Sequence, residues 1–579
     1  MKALEWMDTA TEGVGVHFAP DNATAPWAFV SYTELADGVR RAAGLLGDLD
    51  VRRGDVVCIV VPDPHDFLLA FYGVLAVGAT ASPLAPPLTF RSRDVYVLHL
   101  AEVLRSARPA VVLTAPELRG VIDAAIDMVA TPTIVADFSA AIANDHAAAQ
   151  RQPPARHVLL QYTSGSSGTP KGVQVSAANL DVNTAAMRTV LDLHAGDVVA
   201  TWLPHYHDMG LIGSLLTPIR AGVGVRLLKP AQFVRAPRRW LECLGRDGAT
   251  HTLAPSFGYT YAAKSLGSDG LHGLDFSGWR VALVAAERTD VAGMAGFAAL
   301  TRPYGFRSSS LMVGYGLAEN TLVASSTAPQ QRVPVVRLTQ AAMHENEPVH
   351  IAEHGLLGDD ALLQGNWVTS CGSAAAGNRI EIIDDTGAPM PQGRHGEIRI
   401  TGSSVADGYR GSPHGHTSTS FDGATLRTGD TGFILDDQVY VVGRTGDSIK
   451  VRGQKLFAED LDIKIGAAAG LSPGRHVALL GTVNGANIVA AIVETDSADW
   501  AERVRAALAS VVGDEVVIAL FRAGRKTIER TSSGKPRRRV LWRRLLDGDL
   551  RVELVHTDWA AHSALPHPWR VPSTSSPST

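Results

Sequence analysis

The stretch Tyr162-Thr-Ser-Gly-Ser-Ser-Gly-Thr-Pro-Lys-Gly172 gathers hydroxyls, glycines and a lysine into one short run. Gly165, Gly168 and Gly172 let a backbone approach an anion closely. Thr163, Ser164, Ser166, Ser167 and Thr169 offer hydroxyl donors, and Lys171 adds a positive charge. Such a loop suits a polyphosphate. It does not follow the Gly-x4-Gly-Lys-Ser/Thr spacing of a Walker A loop. A flexible linker shares the composition but has no need of Pro-Lys-Gly at a fixed place in a structured domain. A second candidate is Ser532-Ser-Gly-Lys535-Pro, a loop able to deliver an ammonium into a cleft; the neighbouring Arg537, Arg538 and Arg539 read as a solvated basic face. Thr428-Gly-Asp430-Thr-Gly432 has the composition of a turn. His205 and His207 stand two apart, without a third ligand or the His-x-x-x-His spacing of a helical metal site.

The elements that must position these groups come in two textures. In the first two thirds, short apolar runs alternate with helical patterns. Val56–Val61, Ala110–Leu113, Thr133–Val135, Val198–Ala200, Val225–Leu228 and Val281–Val284 read as strands, and Phe67–Val77 as a helix. The phosphate-type loop follows the plausible strand His157–Leu160. This alternation predicts α/β architecture with mostly parallel sheets covered by helices. After about residue 365, Arg379–Ile383, Gly396–Ile400 and Gln438–Val442 are separated by Asp385–Gly387 and Asp422–Gly423, which predicts antiparallel hairpins. A smaller unit follows Gly443, with strands near Val477–Leu480 and Ile488–Val493 and a helix near Ala501–Val511. The Pro-, Ser- and Thr-rich end from about Leu565 is expected to be disordered.

Composition narrows the classes. The chain has 579 residues, 45% hydrophobic, with 53 basic and 58 acidic side chains and a net charge of −5. That excludes a generally basic surface for coating nucleic acid. Three separated cysteines, Cys58, Cys243 and Cys371, give no disulfide framework or zinc spacing. No run of 18 apolar residues marks a membrane span. The expectation is a soluble cytoplasmic protein.

Read together, the motifs carry a resemblance. The loop at 162–172, Gly314-Tyr-Gly-Leu-Ala-Glu319, Thr428-Gly-Asp430, Gly443-Arg444 through Gly453, and Thr531-Ser-Ser-Gly-Lys-Pro536 resemble, in order, the signatures of the ANL adenylate-forming superfamily. That superfamily includes acyl-CoA synthetases, peptide-synthetase adenylation domains and luciferases. Leu203-Pro-His-Tyr-His-Asp-Met-Gly-Leu-Ile-Gly213 and Tyr315–Ala324 look like fatty-acyl-AMP ligases more than acyl-CoA synthetases. So does the long stretch between Glu319 and Gly372, where fatty-acyl-AMP ligases carry an insertion associated with delivery to carrier-protein phosphopantetheine.

The resemblance implies an N-terminal adenylation domain over 1–445, of two mixed or parallel sheets with helices plus a β-rich subdomain at about 367–445. It implies a mobile α+β domain over 446–564, hinged at Gly446 and Asp447, ahead of the 565–579 tail. It implies ATP and Mg²⁺ as cofactors. Thr163 through Thr169 and Lys171 would hold the phosphates, Glu319 and Thr163 the metal, and Ala286 and Glu287 the adenine edge. Tyr315, between Gly314 and Gly316, would stack on adenine. Asp430 would accept from the ribose hydroxyls and Arg444 would hold ribose or phosphate. His207 would stand at the mouth of an acyl pocket formed by Met209, Gly210, Leu211 and Ile212. Lys535 would bridge the substrate carboxylate and the α-phosphate. The implied activity is formation of a fatty acyl-adenylate and its transfer to a holo acyl carrier protein. An acyl-CoA synthetase, an enzyme for an unusual small acid and a non-catalytic homologue are the alternatives.

The chain departs from the resemblance in three places. Ala285 replaces a glycine and Arg288 a proline near the adenine-edge segment. Gln454-Lys-Leu-Phe-Ala-Glu-Asp460 replaces the usual Asn-x-Tyr-Pro-like run after the hinge. Gly446 precedes Asp447, the position of the hinge aspartate in many members.

Overall fold

A computed structural model describes residues 1–558 except 23–24, 88–92, 130–131, 145, 148, 164–169, 340–345, 364–366, 412–417, 452–453, 472–473, 484, 498, 513–515 and 531–534. The expected tail lies outside the described residues. Two large sheets dominate the first part of the chain. One has six strands in the spatial order Ile134–Asp137, Val111–Thr114, Val56–Val60, Thr80–Pro83, His157–Thr163 and Lys171–Ser176; all pairs are parallel except the last. Its inner strands are buried along their whole length, which is why they read as unbroken apolar runs. The other has nine strands, with six parallel strands flanked by antiparallel ones at both edges.

The helices begin where local chemistry allows. Ser31 and Glu34 form a reciprocal capping box at the start of Tyr32–Asp48. Asp63 caps Pro64–Ala76, whose first residue is the proline that helix starts tolerate. Both helices join the continuous core shared by the two sheets, while Tyr96, Leu100, Leu104 and Ile122 cover the second face of the six-stranded sheet.

The long stretch after Glu319 is not a loop. Pro334–Leu338, Ile351–Leu356 and Trp367–Thr369 form a three-stranded antiparallel sheet. A five-stranded antiparallel sheet follows, built from Asn378–Ile383, Gly396–Gly402, Ser420–Asp422, Thr425–Leu435 and Gln438–Arg444. The hairpins expected after residue 365 are therefore present. The turn composition of Thr428–Gly432 misleads, because these residues lie inside the eleven-residue strand Thr425–Leu435. Gly429 has φ +71°, and pairing with the neighbouring strand breaks locally, so the stretch is a bulge within a strand.

Beyond Arg444, a short turn at Thr445–Asp447 leads to the hairpin Ser448–Val451 and Gln454–Phe457. A four-stranded sheet then carries helices Ala458–Ala469 and Ala501–Val512 on one face and Arg538–Asp547 on the other, each face with its own apolar core. Phe457 is fully buried in a separate cluster with Val336, Val368, Phe433, Tyr440 and Val442, so this hairpin is anchored against both neighbouring sheets. All three cysteines are free and buried. No helix among the described residues is long and apolar enough to cross a membrane.

Candidate active site

Asp430 comes from the long strand of the five-stranded sheet and is buried. Its two carboxylate oxygens take different donors. Tyr315 Oη donates to Oδ2 at 2.7 Å, and Arg444 Nε donates to Oδ1 at 2.6 Å. Arg444 stands opposite Asp430 in the adjacent strand, so the ladder itself sets the pair. The Asp430 charge, outweighing burial, raises the Arg444 pKa. Burial first, then the same carboxylate, pushes the Tyr315 phenol well above its ordinary value. Each carboxylate oxygen keeps a second lone pair, enough to accept from two ligand hydroxyls.

Glu319 sits in a short turn, Ala318–Asn320, directly after the strand that carries Tyr315. Its side chain is buried, and Tyr409 Oη donates to Oε1 at 2.7 Å. Oε2 takes no hydrogen bond from the described residues. Lys171 Nζ lies over the Tyr409 ring, 5.3 Å from its centroid. Burial lowers the Lys171 pKa; Glu319 opposes this, while Arg539 and Arg444 add to it. Thr163 pairs with Lys171 at the base of the hairpin whose strands flank residues 164–169. Those six residues, Ser164, Gly165, Ser166, Ser167, Gly168 and Thr169, lie outside the described residues. A buried carboxylate with one oxygen left unbonded by the described residues, in electrostatic range of the Lys171 ammonium, fits a phosphate-bound Mg²⁺.

The two histidines of Leu203–Gly213 separate. His205 is buried with its ring 4.2 Å from that of Phe67, and its Nε2 donates to the Val61 carbonyl. Burial lowers its pKa to about 4, so it is a neutral core residue and forms no metal pair with His207. His207 Nδ1 lies 2.7 Å from Asp208 Oδ1. Asp208 also accepts from its own helix-start amide, Met209 N, at 2.7 Å. Burial disfavours the Asp208 carboxylate, but His207, the amide and Lys535 outweigh it and hold its pKa low. A carboxylate on Nδ1 fixes the ring and leaves Nε2 to face a ligand. Met209, Gly210, Leu211 and Ile212 follow in a wide-turned helical segment, Met209–Leu216, buried in the main core. A Cβ on Gly210 would stand 2.1 Å from the Pro204 carbonyl oxygen, so only glycine fits that approach.

Glu287 accepts from Ser256 Oγ at 2.8 Å and from the Phe257 amide at 3.0 Å. Ala286, before it, has φ +72°, a costly conformation for a residue with a Cβ. Crowding by protein atoms raises the Glu287 pKa, although its surface stays open to solvent. Lys535 shows the same duality: it is open to solvent, yet crowding lowers its pKa. Arg444 lowers it further, while Asp430, Glu287 and Asp208 oppose the shift. Lys535 is thus within electrostatic reach of groups from four separate stretches of sequence. Gly446 and Asp447 lie at the turn into the last unit. A Cβ on Gly446 would meet Arg539 Nη2 at 2.6 Å, and Asp447 lies 3.9 Å from Arg538.

Residues 17–410 match the family model of the AMP-binding enzymes. The chain is 30% identical over 599 residues to the long-chain-fatty-acid–AMP ligase FadD32 of Mycobacterium marinum, covering 91% of this chain and 92% of the relative. This chain belongs to the AMP-binding enzymes, in the fatty-acyl-AMP ligase group. Within that group it is also 27% identical over 566 residues to the medium-chain-fatty-acid–[acyl-carrier-protein] ligase JamA of Moorena producens, covering 92% and 94% of the two chains. A solved structure from a study of fatty acyl-adenylate ligases of E. coli and L. pneumophila superposes with a TM-score of 0.83 at 28% identity, over 94% and 96% of the two chains.

For a ligase of this group, the sequence reading left out Tyr409 and Asp208 as the anchor of His207, and it set Arg538 on a solvated face although that side chain is mostly buried and paired with Glu459 and Asp462. Tyr409 could have been noticed from Asp407-Gly-Tyr409-Arg410, a Gly-aromatic step of the kind that ends an extended run. Its tie to Glu319 spans 90 positions and leaves no local trace.

Proposed function

We propose that this ligase joins a fatty acid to the α-phosphate of ATP and passes the acyl group to the phosphopantetheine thiol of a carrier protein. The observation that carries this reading is the buried Asp430 carboxylate, fixed by Tyr315 and Arg444 with a lone pair left on each oxygen for a ligand hydroxyl, and with the Lys535 ammonium in electrostatic range of it. A carboxylate oxygen of the acid forms a bond to the α-phosphorus while the bond from that phosphorus to the bridging oxygen breaks. Pyrophosphate leaves with the electron pair. The step needs positioning and charge neutralisation more than a protein nucleophile. Asp430 holds the ribose hydroxyls, and Tyr315 presents its ring to the base. Lys171 and Arg444 meet phosphate charge, and the hydroxyl and glycine residues at 164–169 are of the types that suit phosphate. His207, fixed through Nδ1, offers Nε2 to the reacting oxygens. Lys535 sets an ammonium between the acid carboxylate and the α-phosphate, where a charged donor aimed at the developing negative charge stabilises the transition state. When bound, Mg²⁺ neutralises phosphate charge, and Glu319 with Thr163 would hold it.

In the second step, the thiolate sulfur attacks the acyl carbon, the carbon–oxygen bond to phosphate breaks, and AMP leaves. The unit from 446 onward has its own cores on both sheet faces and joins the rest through the short turn at Gly446 and Asp447. That arrangement supports a domain that swings between the two steps. JamA acts on an acyl-carrier-protein substrate by name, which favours the carrier protein as acceptor here.

The test is pyrophosphate release from Mg·ATP against straight-chain acids from acetate to stearate, followed by capture with coenzyme A or with a holo carrier protein. Release with the longer acids and thioester formation only on the carrier protein is the expected result. Efficient acyl-CoA formation would make the enzyme a synthetase, and no acid-dependent release would overturn the proposal.

A further inference from the structure

Two of the departures from the family pattern meet in space. Arg288 stands where the resemblance has a proline, and Asp460 closes the run that replaces the Asn-x-Tyr-Pro-like segment. Their side chains, 172 positions apart, form an ion pair across the cleft, with only 12% and 13% of each side chain exposed. Arg288 follows Glu287, whose carboxylate accepts from Ser256 and the Phe257 amide. Asp460 lies in the first turn of helix Ala458–Ala469, where the helix dipole favours a carboxylate. The same helix carries Glu459 and Asp462, and both bind Arg538, three positions beyond Lys535; the Glu459 contact is 3.5 Å. A continuous set of ion pairs therefore runs from the adenine-edge segment, through one helix, to the stretch that carries Lys535.

We infer that Arg288 and Asp460 form an interdomain positioning pair that holds Lys535 in the adenylation arrangement and opposes the swing needed for thiol transfer. The inference rests on the two-step ligase reading above. Neither residue touches the reacting atoms; each acts through the helix and Arg538. Rotation about Gly446 and Asp447 must separate the two charges, because they lie on opposite sides of that turn. The attraction within a mostly dehydrated pair is screened less by water than in an exposed one, and the rehydration of each charge on separation offsets part of that gain. A pair of this kind alters the balance of two states without altering either state's chemistry.

The experiment measures the two half-reactions separately in the full chain. Acid-dependent pyrophosphate release reads adenylation, and single-turnover transfer from synthetic acyl-adenylate to a holo carrier protein reads the second step. Arg288→Ala and Asp460→Ala are each expected to slow adenylation on the order of tenfold and to leave transfer as fast as wild type or faster. The exchanged pair, Arg288→Asp with Asp460→Arg, is expected to recover most of the adenylation rate, which also guards against a mere folding defect. Equal loss of both half-reactions, no change in either, or an exchanged pair no better than the single variants would overturn the inference. Wild-type enzyme that releases no pyrophosphate with any acid would instead overturn the ligase reading and the pair's role with it.

Discussion

Asp430 is fixed by an eleven-residue strand and by donors on both of its oxygens, whereas Lys535 reaches the same cleft on a unit with its own cores. The groups around the carboxylate are built in: Tyr315 precedes Glu319 by one short turn, and Arg444 is the ladder partner of Asp430. Lys535 lies beyond the Gly446–Asp447 turn, on a unit that meets the rest of the chain at Phe457 and at the Arg288–Asp460 ion pair. A site built this way separates recognition from chemistry. Under the proposed two-step reading, the nucleotide half stays formed while the lysine comes and goes.

Breaking the imported half has the largest expected effect. Lys535→Ala should lower acid-dependent pyrophosphate release by about 100- to 1,000-fold. Transfer from supplied acyl-adenylate should persist, because the proposal gives the lysine a role only in the first step. Equal loss of both steps in a rapid-quench comparison would mean that Lys535 is not specific to adenylation. Next is the built-in half. Asp430→Asn removes a charge that two donors share, and the KM for ATP should rise by about 10- to 100-fold. Retained ATP affinity by calorimetry would place the ribose elsewhere.

Tyr409→Phe removes one hydrogen bond to Glu319 while keeping the ring under Lys171. The Mg²⁺ concentration for half-maximal activity should rise about fivefold. An unchanged Mg²⁺ requirement would detach Glu319 from the metal. The smallest effect is on stability. Burial holds His205, and His251 at the start of the buried strand His251–Ala254, near pKa values of about 4, below the ordinary 6.5. Between those values the unfolded chain binds more protons than the folded one, so stability is full above pH 6.5 and falls as the pH drops toward 4. Each histidine should cost about 1 kcal/mol between pH 7 and pH 5.5. Urea midpoints that stay level over that interval would contradict the neutral core assignment.

What was legible in the sequence was local. The strands Val56–Val60 and Val281–Val284 are buried throughout and announce themselves as apolar runs. The hairpins after residue 365 show their turns. Gly314–Glu319 and Thr428–Asp430 are short enough to be recognised as units, and the structure brings Tyr315 and Asp430 into contact. What failed was composition without register: the Thr428–Gly432 run has turn residues because a bulge in a strand also needs a glycine at positive φ. What was invisible was non-local. Tyr409 on Glu319 and Arg288 on Asp460 join distant positions, and one member of the second pair first looked like a mere departure from pattern. His205 and His207 are the same residue type two apart, and only packing against Phe67 tells the core ring from the one held by Asp208.

The most direct test of the account is the position of a bound acyl-adenylate. A crystal structure of the full chain with a hydrolysis-resistant acyl-sulfamoyl adenosine should place the ribose hydroxyls on Asp430, the sulfamoyl linkage between His207 and Lys535, and the acyl chain toward Met209–Ile212. Adenosine bound away from Asp430, or a linkage out of reach of Lys535, would contradict it.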